Sequence, residues 1–133
     1  MSYAYLLDTN VISDLIRNPS GAVFRQISQI GETSVCTSIV VACELRYGVR
    51  KSGAKQLQVR LEGILHRLDV LPLESPVEEH YAEIRTRLER AGTPIGPNDL
   101  LIAAHSLALN LTLVTANVRE FERVPNLKVT NWL

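Results

Sequence analysis

The chain has two cysteines, one tryptophan, one methionine and no net charge. Each scarcity narrows what it can be. Two cysteines do not make a disulfide framework, and Cys36 and Cys43 both lie inside apolar runs, so they are expected to be reduced thiols of a core in a cytoplasmic protein. No window of about 18 apolar residues occurs, so no membrane span is expected. The N-terminus has no basic stretch followed by a long apolar run and a small-residue cleavage site, so no signal peptide is expected. There is no P-loop, no G-x-G-x-x-G and no G-x-S-x-G elbow, and no cysteine and histidine pair at catalytic spacing. Neutral charge is not the usual signature of a nucleic-acid binder.

What is present is a core. The 133 residues are 46% hydrophobic, enough to bury one interior without staples, and one domain over residues 1–133 is expected. Tyr3–Leu7 is apolar on both faces, as a buried parallel strand is. Asp8-Thr9-Asn10 then forms a turn before a short helix from Val11 to Ile16. Val23, Ile27 and Ile30 mark a second helix closed by Gly31. Ser34–Thr37 is a second strand, and Ser38 caps a helix from Ile39 to about Arg50. Leu57, Leu61, Ile64, Leu65 and Leu68 form the stripe of the next helix, and Val70–Leu73 a third strand. Ser75-Pro76-Val77-Glu78 has the form of a capping box with proline at the first helical position. The loop Thr93–Asn98 delivers Asp99 to an apolar helix ending near Asn110. Leu111–Thr115 is a fourth strand, Val118–Phe121 one turn capped by Asn117, and Lys128–Thr130 a fifth strand. Strands alternating with helices predict a three-layer α/β fold, with a short parallel sheet of four or five strands flanked by helices.

Three carboxylates sit where carboxylates are costly. Asp8 closes the first strand, Glu44 interrupts Ile39–Leu45, and Asp99 opens Leu100–Ala104. A charge against a buried segment costs several kcal/mol, roughly, unless it is compensated. One compensation serves all three: a shared Mg2+ or Mn2+, cations that prefer hard oxygen ligands from separate elements. Each acid also has a plain structural alternative. Asp8 can cap its helix, Asp99 can be an ordinary first-turn acid, and Glu44 can pair with Arg46 or Arg50. In open parallel sheets ligands sit beyond the carboxyl ends of the strands, where Asp8, Asn117 and the flanking Glu44 and Asp99 can meet. Such a site activates water and needs no covalent nucleophile, which points to a metal-dependent hydrolase of phosphodiesters.

The charge distribution is less neutral than its sum. Arg46, Arg50, Lys51, Lys55, Arg60 and Arg67 face a single acid, Glu62, and are followed by Asp69, Glu74, Glu78, Glu79 and Glu83 without a cation. Arg46, Arg50, Lys51 and Lys55 are candidate RNA contacts beside an acidic site; two solvated helix faces of opposite sign would look the same. His66, His80 and His105 lack ligand spacing and are expected to be structural or on the surface.

Leu6-Leu7-Asp8-Thr9-Asn10, Glu44 in an apolar helix, Ile95–Ala104 with its Gly96-Pro97-Asn98-Asp99, and Leu113–Val124 together resemble PIN-domain ribonucleases, and more narrowly VapC-type toxins of toxin–antitoxin modules. The resemblance spans essentially the whole chain. It implies a Mg2+- or Mn2+-dependent endoribonuclease with Asp8, Glu44 and Asp99 as metal-binding catalytic residues. It implies a homodimer, a VapB-type antitoxin that inhibits it, and operator DNA reached only through that complex. It makes transfer RNA, near the anticodon stem-loop, the first substrate to test. Many relatives carry a fourth acid where this chain has Asn117, which would hold a second metal more weakly. Glu120, one turn on, can substitute for it or serve as capping partner to Asn117. Thr9 and Asn10 are candidates to orient Asp8.

Two other classes stay open. A receiver-type phospho-acceptor domain has this length and an aspartate at a strand end, but needs paired acids there and a lysine after the last strand. An inactive PIN-like module would bind RNA or protein without cutting.

Overall fold

The computed structural model describes residues 2–133. Five strands form one parallel sheet: β1 (Tyr5–Leu7), β2 (Val35–Ser38), β3 (Asp69–Leu71), β4 (Thr112–Val114) and β5 (Val129–Thr130). Their order is β3-β2-β1-β4-β5. Tyr5, Leu6 and Leu7 stand beside Val35, Cys36 and Thr37 on one flank and Thr112, Leu113 and Val114 on the other. The chain thus winds outward from β1 to β3 and returns to the far side of β1. The order reverses between β1 and β4, where a crevice opens at the strands' carboxyl ends. A receiver-type sheet has the order 2-1-3-4-5, so that reading fails on topology.

Among the described residues seven α-helices cover the sheet: α1 (Thr9–Arg17), α2 (Ala22–Ile30), α3 (Ile39–Ser52), α4 (Lys55–Arg67), α5 (Val77–Arg90), α6 (Pro97–Ala108) and α7 (Val118–Phe121). Leu6, Leu7, Val11, Ile12, Val41, Ile102, Leu113 and Phe121 are fully buried between the layers, and removing that apolar area from water is the main force closing the fold. Among the described residues no helix is long and apolar enough to cross a membrane.

Local chemistry accounts for most boundaries. The Ser38 hydroxyl accepts from Val40 N at 3.1 Å, capping α3 as its sequence implies. Gly53 ends α3 with φ +70°, a left-handed conformation that side-chain-bearing residues resist. Other boundaries differ from expectation. Helix α1 begins at Thr9, directly after Asp8, because Asp8 itself is the N-cap and no separate turn is needed. Helix α6 begins at Pro97, which takes the first position and leaves Asp99 in the first turn. The Ser75 box does not form: the hydroxyl donates to Glu78 Oε2 at 2.8 Å, and Pro76, with no side-chain cap, precedes α5. Asn117 likewise makes no side-chain cap for α7. Cys36 is buried as a core thiol, whereas Cys43 is exposed on the outer face of α3, so only one of the two belongs to the core.

Candidate metal centre and active site

Asp8 leaves β1 with its backbone N–H donating to Val114 O at 2.9 Å, so the β1–β4 pairing itself fixes the residue. The residue is 3% exposed. Oδ1 accepts from Thr9 N at 2.8 Å, and Oδ2 from Thr115 Oγ1 at 2.8 Å and Asn10 Nδ2 at 3.3 Å. Burial pushes the Asp8 carboxyl above the ordinary range, Glu44 adds to the rise, and the three hydrogen bonds pull against it. Asp8 is therefore both a helix cap and a wall of the crevice.

Glu44 lies in the second turn of α3 and is tied to two other elements. Thr9 Oγ1 donates to its Oε1 at 2.5 Å, and Asn98 Nδ2 to its Oε2 at 3.3 Å. The alternative pairing with Arg46 does not occur, because Arg46 bonds to Glu62 on α4. Asp99 completes the set from the first turn of α6. Its carboxyl is pushed up to about 7, first by burial, then by the adjacent Glu120 and the charges of Asp8 and Glu44. Asp8, Thr9, Asn10, Ser13, Arg17, Glu44, Asp99 and Asn117 line one open cleft.

The fourth corner is shared by two residues. Asn117 Nδ2 donates to Glu120 Oε2 at 2.6 Å, and Glu120 Oε1 accepts from Gly96 N at 3.3 Å. Glu120 is also one of the groups that raise the Asp99 carboxyl. Asn10 acts at the same edge: its Oδ1 accepts from Ala116 N at 2.9 Å. Thr9 orients Asp8 through its backbone N–H, while its hydroxyl serves Glu44.

Sequence reasoning missed Thr115, Asn98, Ser13 and Arg17. The Asn98-Asp99 pair and the Thr115-x-Asn117 spacing were visible, but nothing local says what they face. The basic residues singled out from the sequence are elsewhere. Arg46 is paired with Glu62, Lys51 stands 5.9 Å over the Tyr47 ring, and none of Arg46, Arg50, Lys51 and Lys55 lines the cleft.

The donors suit a hard cation. All are oxygens, the cleft is open, and like charges raise one another's proton affinity, the condition a divalent ion relieves. Among the described residues no three His, Cys, Asp or Glu side chains stand together closely enough to hold a metal ion by themselves. Mg2+ commonly keeps several waters and takes one or two carboxylates together with substrate phosphate.

Comparison with known proteins agrees with this geometry. Residues 5–127 match the PIN domain family. Ribonuclease VapC2 of Rickettsia felis is 41% identical over 130 residues, covering 96% of this chain and 97% of its own length. The tRNA(fMet)-specific endonuclease VapC of Salmonella typhimurium is 36% identical over 129 residues, covering 96% and 97%. The crystal structure of VapBC2 from Rickettsia felis bound to a promoter DNA fragment superposes with a TM-score of 0.91 at 38% identity, covering 98% of this chain and 99% of that one. DNA-bound VapBC from Salmonella typhimurium gives 0.92 at 35% identity, covering 98% and 99%. The chain belongs to the PIN domain family, on its VapC branch.

Proposed function

We propose that this chain is the endoribonuclease toxin of a toxin–antitoxin pair, cutting transfer RNA by hydrolysis that depends on Mg2+ or Mn2+. The observation that carries it is the convergence of Asp8, Glu44 and Asp99, from three different elements, on the crevice between β1 and β4. Its similarity to a tRNA(fMet)-specific endonuclease makes initiator tRNA the first substrate.

Asp8, Glu44 and Asp99 would hold the cation, with Asn117 and Glu120 at the fourth corner. When bound, such an ion lowers the pKa of water and offsets charge developing on the phosphate. The protein's own part is orientation. Thr115, Thr9 and Asn10 fix the Asp8 carboxylate, and Thr9 and Asn98 fix Glu44. Groups held this way do not have to be reorganised during the reaction.

The partner in this reading is a VapB-type antitoxin, with operator DNA bound through the complex, as in the VapBC structures. An apolar groove between α1, α2 and α4, lined by Leu15, Ile16, Phe24, Ile27, Ile64 and Leu68, has the character of a surface that a partner's apolar segment covers. A homodimer belongs to the same proposal, and light scattering on the free chain checks it.

Purified, antitoxin-free protein is expected to cut initiator tRNA with Mg2+ or Mn2+ and to stop cutting in chelator. Asp8→Asn and Asp99→Asn should each lose about 10²-fold or more in rate. RNA binding without cleavage would establish the inactive binding module instead, and variants as active as the parent would remove Asp8 and Asp99 from the chemistry.

A further inference from the structure

The carboxylate cleft carries one side chain of opposite charge. Helix α1 presents Asn10, Ser13 and Arg17 on successive turns of one wall. Arg17 is the single cation among the residues lining the cleft, and it is exposed. Among the described residues it makes neither an ion pair nor a side-chain hydrogen bond. Most other arginines are committed. Arg46, Arg67, Arg85 and Arg87 pair with Glu62, Glu32, Glu89 and Glu83. Arg25, Arg60 and Arg123 bond to backbone carbonyls. The nearest acid on the same helix, Asp14, accepts instead from Asn18 Nδ2 at 2.9 Å.

A helix-end role does not account for this placement. Arg17 is in the last turn of α1, where any cation interacts favourably with the helix dipole. That benefit does not require the side chain to line the acidic cleft, nor to stand where the cleft meets a second recess beside Asn18, Ser20 and Leu133. Position along the helix fits a substrate role. Arg17 follows the Asp8 cap by nine residues, about 13 Å along the axis, and helical side chains lean back toward the N-terminus. Its side chain lines the same cleft as the three carboxylates and, among the described residues, forms an ion pair with none of them. A polyanionic strand approaching several carboxylates is repelled unless a cation offsets them.

We propose that Arg17 is the phosphate-contacting residue of this cleft: its guanidinium takes a phosphate flanking the bond to be cut and so positions the RNA strand over Asp8 and Asp99. This rests on the ribonuclease reading above. Guanidinium suits the task because its planar fork bonds phosphate oxygens in pairs.

The test is steady-state cleavage of one RNA with a defined site, at saturating Mg2+ and several salt concentrations, by the parent, Arg17→Gln and Arg17→Lys. Arg17→Gln should raise KM about tenfold with kcat nearly unchanged, the scale of one charge-assisted contact. Its plot of log(kcat/KM) against log[salt] should be shallower by about 0.7, the share of one single-strand phosphate. Arg17→Lys should keep the parental salt slope and recover most of KM. An Arg17→Gln protein with lowered melting temperature but parental KM and slope would reduce Arg17 to a helix-end cation and overturn the proposal. If the parent cuts while all three proteins agree in KM and slope, the contact alone is refuted. A parent that cuts no RNA overturns the ribonuclease reading and this inference together.

Discussion

The Thr9 hydroxyl donates to Glu44 Oε1 at 2.5 Å, joining the first turn of α1 to the second turn of α3. The bond links the acid that follows β1 to the acid that follows β2, because Thr9 also gives its backbone N–H to Asp8 Oδ1. Thr9→Val keeps the shape and removes the donor. Glu44 would then be held by Asn98 alone. Cleavage rate is expected to fall about tenfold, since small misplacements of reacting groups are costly. Stability should change by less than about 1.5 kcal/mol, the net worth of one hydrogen bond. Thr9→Ser should retain most activity. Cleavage kinetics beside urea denaturation check both.

Asp99 predicts how stability responds to pH without metal. Its folded pKa is about 7, above the ordinary 3.8. Between those values the folded state binds more protons than the unfolded state, so stability should fall as pH rises through this window and level off above it. Asp99→Asn should lose that downward slope and, in chelator at the alkaline end, be at least as stable as the parent. Urea midpoints across the window measure this. A loss above ~1 kcal/mol in the variant would show that the carboxylate mainly serves the start of α6.

His105 predicts the opposite sign. The ring is buried with Nδ1 2.9 Å from Ser38 Oγ. Burial lowers its pKa below the ordinary 6.5, against a hydrogen bond to the Pro72 backbone. The unfolded state takes up this proton first, so the stability tied to neutral His105 is present above about pH 6.5 and lost as pH falls below it. In an Asp99→Asn background, which removes the competing slope, His105→Gln should flatten the acid-side decline in melting temperature. An unchanged decline would assign it to other groups.

Asn117→Asp probes the neutral corner. The Asn117 amide donates to Glu120 Oε2 at 2.6 Å, and a carboxylate there would face Glu120 with like charge. The variant should melt lower than the parent in chelator. It should gain more melting temperature on adding Mn2+, because a ligand bound by the folded state alone stabilises it by RT ln(1 + [L]/Kd), which grows as the site binds more tightly. Equal Mn2+ shifts in both proteins would place the cation away from this corner.

Much of the site is legible in the chain because its determinants are local. An acid at the end of an apolar strand, an acid inside an apolar helix and an acid after a Gly-Pro-Asn loop each announce themselves by conflict with their surroundings. Ser38 and Gly53 fix the ends of α3 through contacts within a few residues, and the length of each apolar run together with its periodicity separates the strands from the helices. Some expectations fail where a side chain chooses between a backbone N–H and a neighbouring side chain: Asn117 reads as a cap for α7 but turns to Glu120, and Ser75 gives its hydroxyl to the Glu78 side chain rather than forming a box. Another fails on a distant partner. Arg46 looks free for RNA until α4 brings Glu62 against it.

The sequence by itself determined the alternation of strands and helices and the positions of Asp8, Glu44 and Asp99, since burial patterns and caps are written over short stretches. Only the tertiary structure decided that β4 lies beside β1. That pairing carries Thr115 across 107 positions to Asp8 Oδ2. The packing of α6 beside α3 sets Asn98 against Glu44, and α1 brings Arg17 to line the same acidic cleft. Hydrophobic periodicity fixes which face of each element is buried. It does not fix which neighbour it is buried against, and it is the neighbour that supplies each carboxylate with its partners.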